Sequence, residues 1–440
     1  MTSVTLEKIK QLQVKKLEKY LKWISAAVGV AIFLYLVLRT PQGTGRHERT
    51  AWVHWTDNGQ PDLFAVNAAV PPDAQPAKPF DWAKSPYMLA PGTDTTEKTY
   101  PRKKPEGNVK YKTIGVYDPK KEISKGLLKT DFSQCEYSKC RMVDKVESAD
   151  AVIFLVARLT RLTGVPTFKR KKDQIWILKT DEAPSRFTWF ASLNRPGLKD
   201  RFNWTLTHKL DSDLPQVYGR LIQRTHVLDR DYDRIYNSKT RTAAWFVSHC
   251  PVRSRRRILV KQMQQRVDID IFGNCGTMTC GQGQKIPGVM GMRIQADNET
   301  CLPMLSAKYK FYLAFENSLC QEYISEKFFK LFNDVDIVPV VRGGSNYKSY
   351  FPPDMYVDAS DFSSPEALAD YLDDLGKDKE RYISYLRNKN KYRMVLDRPD
   401  WQCKMCRKLH IDKKVRRYRD VHAWLTNKSC HDPMDSALFM

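Results

Sequence analysis

One stretch of the chain constrains its fold more than any other. Residues 309–315 carry aromatic and aliphatic side chains with no Gly or Pro among them, so the run reads as a buried strand. It stops at Glu316 and Asn317. A helix is expected over 321–332, with Asn317 or Ser318 near its N-cap. At about 100° per residue Ile324, Phe328, Leu331 and Phe332 form an apolar stripe, while Tyr323, Glu326 and Lys327 share a separate polar one. Ile337, Val338, Pro339, Val340 and Val341 form the next apolar run. The unit is β-α-β, with a right-handed crossover expected. Ligands of open α/β sheets lie beyond the carboxyl ends of the strands. Glu316, Asn317 and the Arg342-Gly343-Gly344 loop fall there, a layout suited to a charged small molecule.

Strand and helix patterns alternate through the rest of the chain. Apolar runs at 113–117, 151–156 and 174–180 occupy one half, and runs at 242–248 and 267–273 precede the opening unit in the other. A helical pattern follows at 366–375. This predicts an α/β protein with parallel sheets in two domains, 109–225 and 226–398, followed by a segment at 399–440.

The 73 Lys and Arg against 50 Asp and Glu leave a net charge of +23. The basic residues are spread along the chain and no nucleic-acid module is recognisable, which argues for anionic substrates or surroundings rather than nucleic acid. Residues 23–38 form an uncharged apolar run, slightly short of the ~17–25 residues of a spanning helix. Lys8, Lys10, Lys15, Lys16, Lys19 and Lys22 precede it and Arg39 follows. The cation excess predicts a type II anchor, with 1–22 cytoplasmic and the rest luminal. Ten prolines interrupt every apolar run of 39–108, so this segment reads as an extended stem.

Ten cysteines, with Cys135/Cys140, Cys275/Cys280 and Cys403/Cys406 closely spaced, admit zinc ligation or disulfides. A luminal location favours disulfides. Cys275 and Cys280 form either a local staple or a bond from one of them to Cys301. Asn203, Asn298 and Asn427 each begin a glycosylation sequon. Asp-x-Asp pairs occur, among them 211/213, 229/231, 268/270 and 334/336. The motif is short, and Asp268-Ile269-Asp270-Ile271 alternates as a strand does, so no protein metal site is assigned.

The run from Tyr309 to Tyr347 resembles the signature of the α-1,3-fucosyltransferases, glycosyltransferase family 10. The matching pieces are Lys310 to Ser318, Tyr323-Ile324-Ser325-Glu326-Lys327, and Val338-Pro339-Val340-Val341-Arg342-Gly343. The resemblance extends over about residues 110–430. It implies a GT-B-like fold, two Rossmann-like domains facing across a cleft, and a Golgi enzyme that takes GDP-fucose as donor and glycoprotein N-glycans as acceptors. Negative charge builds on the leaving diphosphate and must meet fixed cations. By family position these are Arg256 and Lys327, with Ser248, Asn317, Tyr323 and Glu326 completing the donor site. Cys250 stands where the family pattern has Trp. An inverting transfer needs a base for the acceptor hydroxyl, and the family's glutamate matches Glu182 in Glu182-Ala183-Pro184. Spacing alone does not separate Glu182 from Asp181. The resemblance also implies bonds from Cys403 and Cys406 to Cys135 and Cys140. It needs no protein-bound cofactor, and Mn2+ or Mg2+ would stimulate through the diphosphate. The Cys275–Cys280 insert and the wording of 243–248 look like invertebrate members.

Overall fold

A computed structural model of the chain describes residues 81, 84–89, 110–117, 127–133, 135–159, 166, 168–184, 193–280, 301–395, 400–412 and 416–435. The expected tail, the anchor at 23–38, nearly all of the stem and Asn298 lie outside the described residues. Among those described, no helix is long and apolar enough to cross a membrane.

Two parallel sheets organise the chain. The first contains β2 (Lys112–Tyr117), β3 (Cys140–Val143), β4 (Ala151–Leu155), β5 (Ile175–Lys179), β6 (Trp204–Thr207) and β7 (Leu214–Pro215), in the order β3-β2-β4-β5-β6-β7. The second contains β9 (Arg241–Phe246), β10 (Ile269–Phe272), β11 (Tyr309–Phe315), β12 (Val338–Arg342) and β13 (Val357–Asp358), in the order β10-β9-β11-β12-β13. Every neighbouring pair in both is parallel. Such sheets are covered on both faces, which is why their strands read as unbroken apolar runs. A third, smaller sheet orders β1 (Met88–Leu89), β8 (Arg220–Gln223) and β14 (Tyr392–Val395) as β1-β8-β14.

Side chains of a strand alternate between faces. In the first sheet Ile114, Ile153 and Ile177 share a core with Trp401, Met405 and Leu409. Val152, Phe154, Trp176 and Leu178 share another with Tyr418, Val421 and Leu425. Residues 400–425 therefore supply cover to both faces of a sheet laid down some two hundred residues earlier. In the second sheet Trp245, Phe311, Leu313 and Val340 pack with Leu259, Val260, Leu368 and Leu372 of the helices Arg256–Met263 and Pro365–Lys377.

All ten cysteines are bonded: Cys135–Cys403, Cys140–Cys406, Cys250–Cys275, Cys280–Cys301 and Cys320–Cys430. The local Cys275–Cys280 staple does not form. Cys275 instead reaches Cys250, the residue that replaces the family's Trp, and Cys280 takes Cys301.

Three other expectations are corrected. The helix over 321–332 is confined to Glu326–Phe329, tightening to a 3-10 turn at Lys330–Phe332, and its N-cap is Ser325 rather than Asn317 or Ser318. Glu322 has φ +60°, which breaks any helix there, and Cys320 is tied to Cys430. Residues 84–89 belong to the fold rather than to a loose stem. Tyr87 is buried with its ring 5.0 Å from that of Tyr350, and its hydroxyl donates to Glu322 O at 2.8 Å. Asn203 is a structural residue, not a glycan acceptor. It is 2% exposed, its Oδ1 accepts from Trp176 N at 2.9 Å and from Arg170, and its Nδ2 donates to Arg416 O at 3.1 Å. Asn427 is exposed.

Candidate active site

The site is built where β11 ends. Glu316, the first residue beyond the strand, is 0% exposed. A lone buried carboxylate is costly, and this one is fully engaged. Oε1 accepts from Ser325 N at 2.7 Å, and Oε2 accepts from Ser325 Oγ at 2.9 Å and from Lys327 Nζ at 3.1 Å. One carboxylate thus sets both the helix start and the position of Lys327. Lys327 Nζ also donates to Ser325 Oγ at 2.7 Å and lies 3.6 Å from Glu326. Burial alone would lower the ammonium pKa, and Arg256 nearby pushes the same way. The Glu316 and Glu326 carboxylates outweigh both, so Lys327 titrates above its ordinary value and stays charged.

Arg256 opens the Arg256–Met263 helix. Arg255, with a left-handed backbone (φ 48°), stands at its N-cap. Arg253 and Arg257 are exposed and Arg256 is buried. Its Nη1 donates to Phe315 O at 2.5 Å and its Nη2 to His249 O at 3.3 Å, and the guanidinium lies 5.5 Å from the Trp245 ring centroid. The two predicted cations therefore meet at the carboxyl end of the second sheet.

Asn317 is buried, and its Oδ1 has no hydrogen-bond partner among the described residues. Leaving such an acceptor unmet costs about 1–3 kcal/mol, which a ligand donor would recover. Ser248 is exposed, two residues beyond β9. Gly273 (φ +97°) lies beneath it, where a Cβ would come 2.7 Å from Val247 O and 3.2 Å from Ser248 Oγ. The Cys250–Cys275 bond ties these two loops together.

Tyr323 is not on the polar helix stripe. It precedes the helix, is buried, and turns toward the first half of the chain. Its ring lies edge-on to His208 at 5.1 Å and to Tyr218 at 5.8 Å. Its hydroxyl donates to Glu182 Oε2 at 3.4 Å. Burial, then the carboxylates of Glu182, Glu316 and Glu326, push the phenol far above its usual range, so it remains a donor. Glu182 follows β5, in a turn where its N–H meets Thr180 Oγ1 at 3.2 Å. Its rival Asp181 is paired with Lys179 at 2.8 Å. Glu322 adds a second tie between the halves, accepting from Leu210 N at 2.9 Å. Of the named residues, then, Arg256, Asn317, Glu326 and Lys327 surround the end of β11, Ser248 borders them, and Tyr323 joins them to Glu182.

Sequence reasoning overlooked two supports. Glu316 stood inside the motif but was not given a role, because nothing local says that its carboxylate turns inward. His208 sits beside Tyr323 in a site whose burial, aided by Lys209, pushes its pKa down to about 3 against the pull of Asp181. The imidazole is therefore neutral. The Asp-x-Asp pairs have other engagements. Asp270 receives two bonds from Arg241 at 3.0 and 2.7 Å and one from Tyr309 at 2.6 Å, and Asp231 caps the Tyr232–Ser238 helix.

Two parallel-sheet halves, one presenting paired cations and the other a carboxylate, define a group-transfer enzyme of the α/β class. Residues 110–219 match the model of the fucosyltransferase N-terminal region, and residues 236–424 match that of the C-terminal region of glycosyltransferase family 10 (fucosyltransferase). The chain is 34% identical over 320 residues to alpha-(1,3)-fucosyltransferase C of Drosophila melanogaster, covering 68% of this chain and 70% of that one. It is 30% identical over 315 residues to alpha-(1,3)-fucosyltransferase fut-6 of Caenorhabditis elegans, covering 68% and 75%. A crystal structure of an α1,3-fucosyltransferase with GDP-fucose aligns over 71% of this chain and 94% of its own, with 15% identity and a TM-score of 0.42. The chain belongs to glycosyltransferase family 10, the α-1,3-fucosyltransferases.

Proposed function

We propose that this enzyme transfers L-fucose from GDP-β-L-fucose, with inversion, in α-1,3 linkage to N-acetylglucosamine of glycoprotein glycans, on the N-glycan core or antennae. The observation that carries this reading is the ion pair of buried Glu316 with partly buried Lys327 beside Arg256 at the end of β11. As the bond to the diphosphate breaks, charge grows on the leaving oxygens, and two fixed cations in a low-dielectric pocket stabilise it without reorganising. Asn317 supplies an acceptor for a sugar or ribose hydroxyl. Ser248, Tyr323 and Glu326 complete the donor site. Glu182 removes the proton from the acceptor hydroxyl as that oxygen attacks the anomeric carbon. Tyr323 links donor and base by its hydrogen bond to Glu182.

Divalent cations, in this reading, act through the diphosphate rather than at a protein site. The type II anchor at 23–38, a Golgi location and glycosylation of Asn298 and Asn427 belong to the same proposal. The test is to incubate the purified chain with GDP-fucose and an array of N-acetylglucosamine-containing glycans, then locate added fucose by mass spectrometry. Fucose on O3 of N-acetylglucosamine is expected. Transfer to no glycan, or from a different nucleotide sugar only, would overturn the reading.

A further inference from the structure

Residues 427–435 leave the first half of the chain and finish against the second. Gln321 N donates to Ser429 O at 2.8 Å and His431 N donates to Leu319 O at 3.0 Å, a short antiparallel bridge that Cys320–Cys430 closes covalently. Farther on, Asp435 meets Arg342 through two bonds of 2.6 Å, Nε to Oδ2 and Nη2 to Oδ1. This bidentate fork is the strong form of such a pair. Arg342 is 3% exposed, and its Nη1 donates to Ser254 O at 2.8 Å. Among the described residues Asp435 is the one carboxylate within ion-pair distance of it.

The same bonds continue into the donor site. Glu316 N donates to Arg342 O at 2.9 Å, Ser254 Oγ to Glu316 O at 2.8 Å, and Ser254 N to Asn317 O at 3.3 Å. Arg256 lies two residues beyond Ser254. A buried guanidinium stripped of its counter-charge must find solvent or another acceptor, and either movement pulls on the Ser254 carbonyl, two residues before Arg256.

We propose that Asp435 is a positioning residue for the donor site, and that 427–435 is a strap forming part of that site's frame. Acting through Arg342 and Ser254, it sets where Arg256 and Asn317 stand. The inference rests on the donor reading above. It predicts an effect on donor affinity that spares the acceptor, whose base Glu182 hangs from the other sheet.

The test compares the full chain with Asp435→Asn and Asp435→Glu, measuring GDP affinity by calorimetry and separate donor and acceptor KM values. Asp435→Asn should weaken GDP binding and raise donor KM by at least about tenfold, with acceptor KM within about twofold of wild type. Asp435→Glu, which keeps the charge, should recover most of this, leaving a rise of about threefold. A folded Asp435→Asn protein that binds GDP as wild type does would overturn the strap's role, as would equal rises in both KM values. Should Asp435→Asn fail to fold, Asp435→Glu decides: a donor KM equal to wild type rejects the proposal. A wild-type chain that binds no GDP would instead reject the donor reading, and the strap inference with it.

Discussion

Lys327 and Glu182 stand on opposite sides of one contact and are held by different means. The Lys327 ammonium has Glu316 at 3.1 Å and Ser325 Oγ at 2.7 Å, and Glu316 is itself pinned by two further bonds from Ser325. Glu182 sits half-buried in a turn, 3.4 Å from the Tyr323 hydroxyl. A group whose charge must stay constant while a diphosphate leaves benefits from a rigid setting with a fixed counter-charge. A group that must gain and lose a proton needs room and access to water. The two settings match the two roles proposed for them.

The contrast can be broken most sharply at the carboxylate. Glu182→Gln should lower kcat by roughly 10²–10⁴ while GDP affinity, measured by calorimetry, stays within about twofold. A variant with a tenth of wild-type turnover would remove Glu182 from the role of base. On the other side, Lys327→Met should lower kcat/KM for the donor by about 10²–10³. It should also cost about 3–5 kcal/mol of stability, because Glu316 is left buried without its cation. Adding Glu316→Gln to that variant should restore much of the stability in denaturant melts and none of the activity. If activity returned, the cation would be dispensable and the comparison empty.

Smaller effects sharpen the boundary between the two settings. Tyr323→Phe deletes the long hydrogen bond to Glu182, so kcat should fall by about two- to tenfold. His208 offers a test by pH. Its folded pKa of about 3 lies below the unfolded value of 6.5, so the unfolded chain takes up the proton first and stability is lost as pH falls below about 6.5. Between pH 7 and pH 5 this amounts to about 2 kcal/mol. Urea melts of His208→Leu at the two values should show a drop smaller by that amount, and an unchanged drop would mean that His208 is not buried as described.

Much of this molecule could be read from local pattern. Runs such as 151–156 and 309–315 announce strands buried on both faces because nearly every residue alone satisfies the requirement. What escaped depends on partners distant in sequence. Periodicity made 321–332 a helix, since it cannot register that Cys320 bonds Cys430 or that Glu322 reaches Leu210. Asn203 has a sequon's spelling, yet Trp176 and Arg416 claim its amide. Proline content made 84–89 part of a tether, although Tyr87 finds an aromatic pocket. The motif marked the residues proposed to hold the donor and was silent on Glu316 as their anchor, because an inward carboxylate and an outward one look alike in a sequence.

The cover that residues 400–425 give both faces of the first sheet has a consequence for how the chain is made. Strands β2 to β7 emerge from the ribosome with neither apolar face fully covered, and the second sheet, complete by Asp358, has its own helical cover soon after. At roughly 5–20 residues per second, the first half waits some tens of seconds for its missing layer. The core of the half that supplies Lys327 can thus close before the cover of the half that supplies Glu182 is made, and the strap at 427–435 comes last. During that interval exposed Ile153, Trp176 and Leu178 are a natural site for chaperone binding.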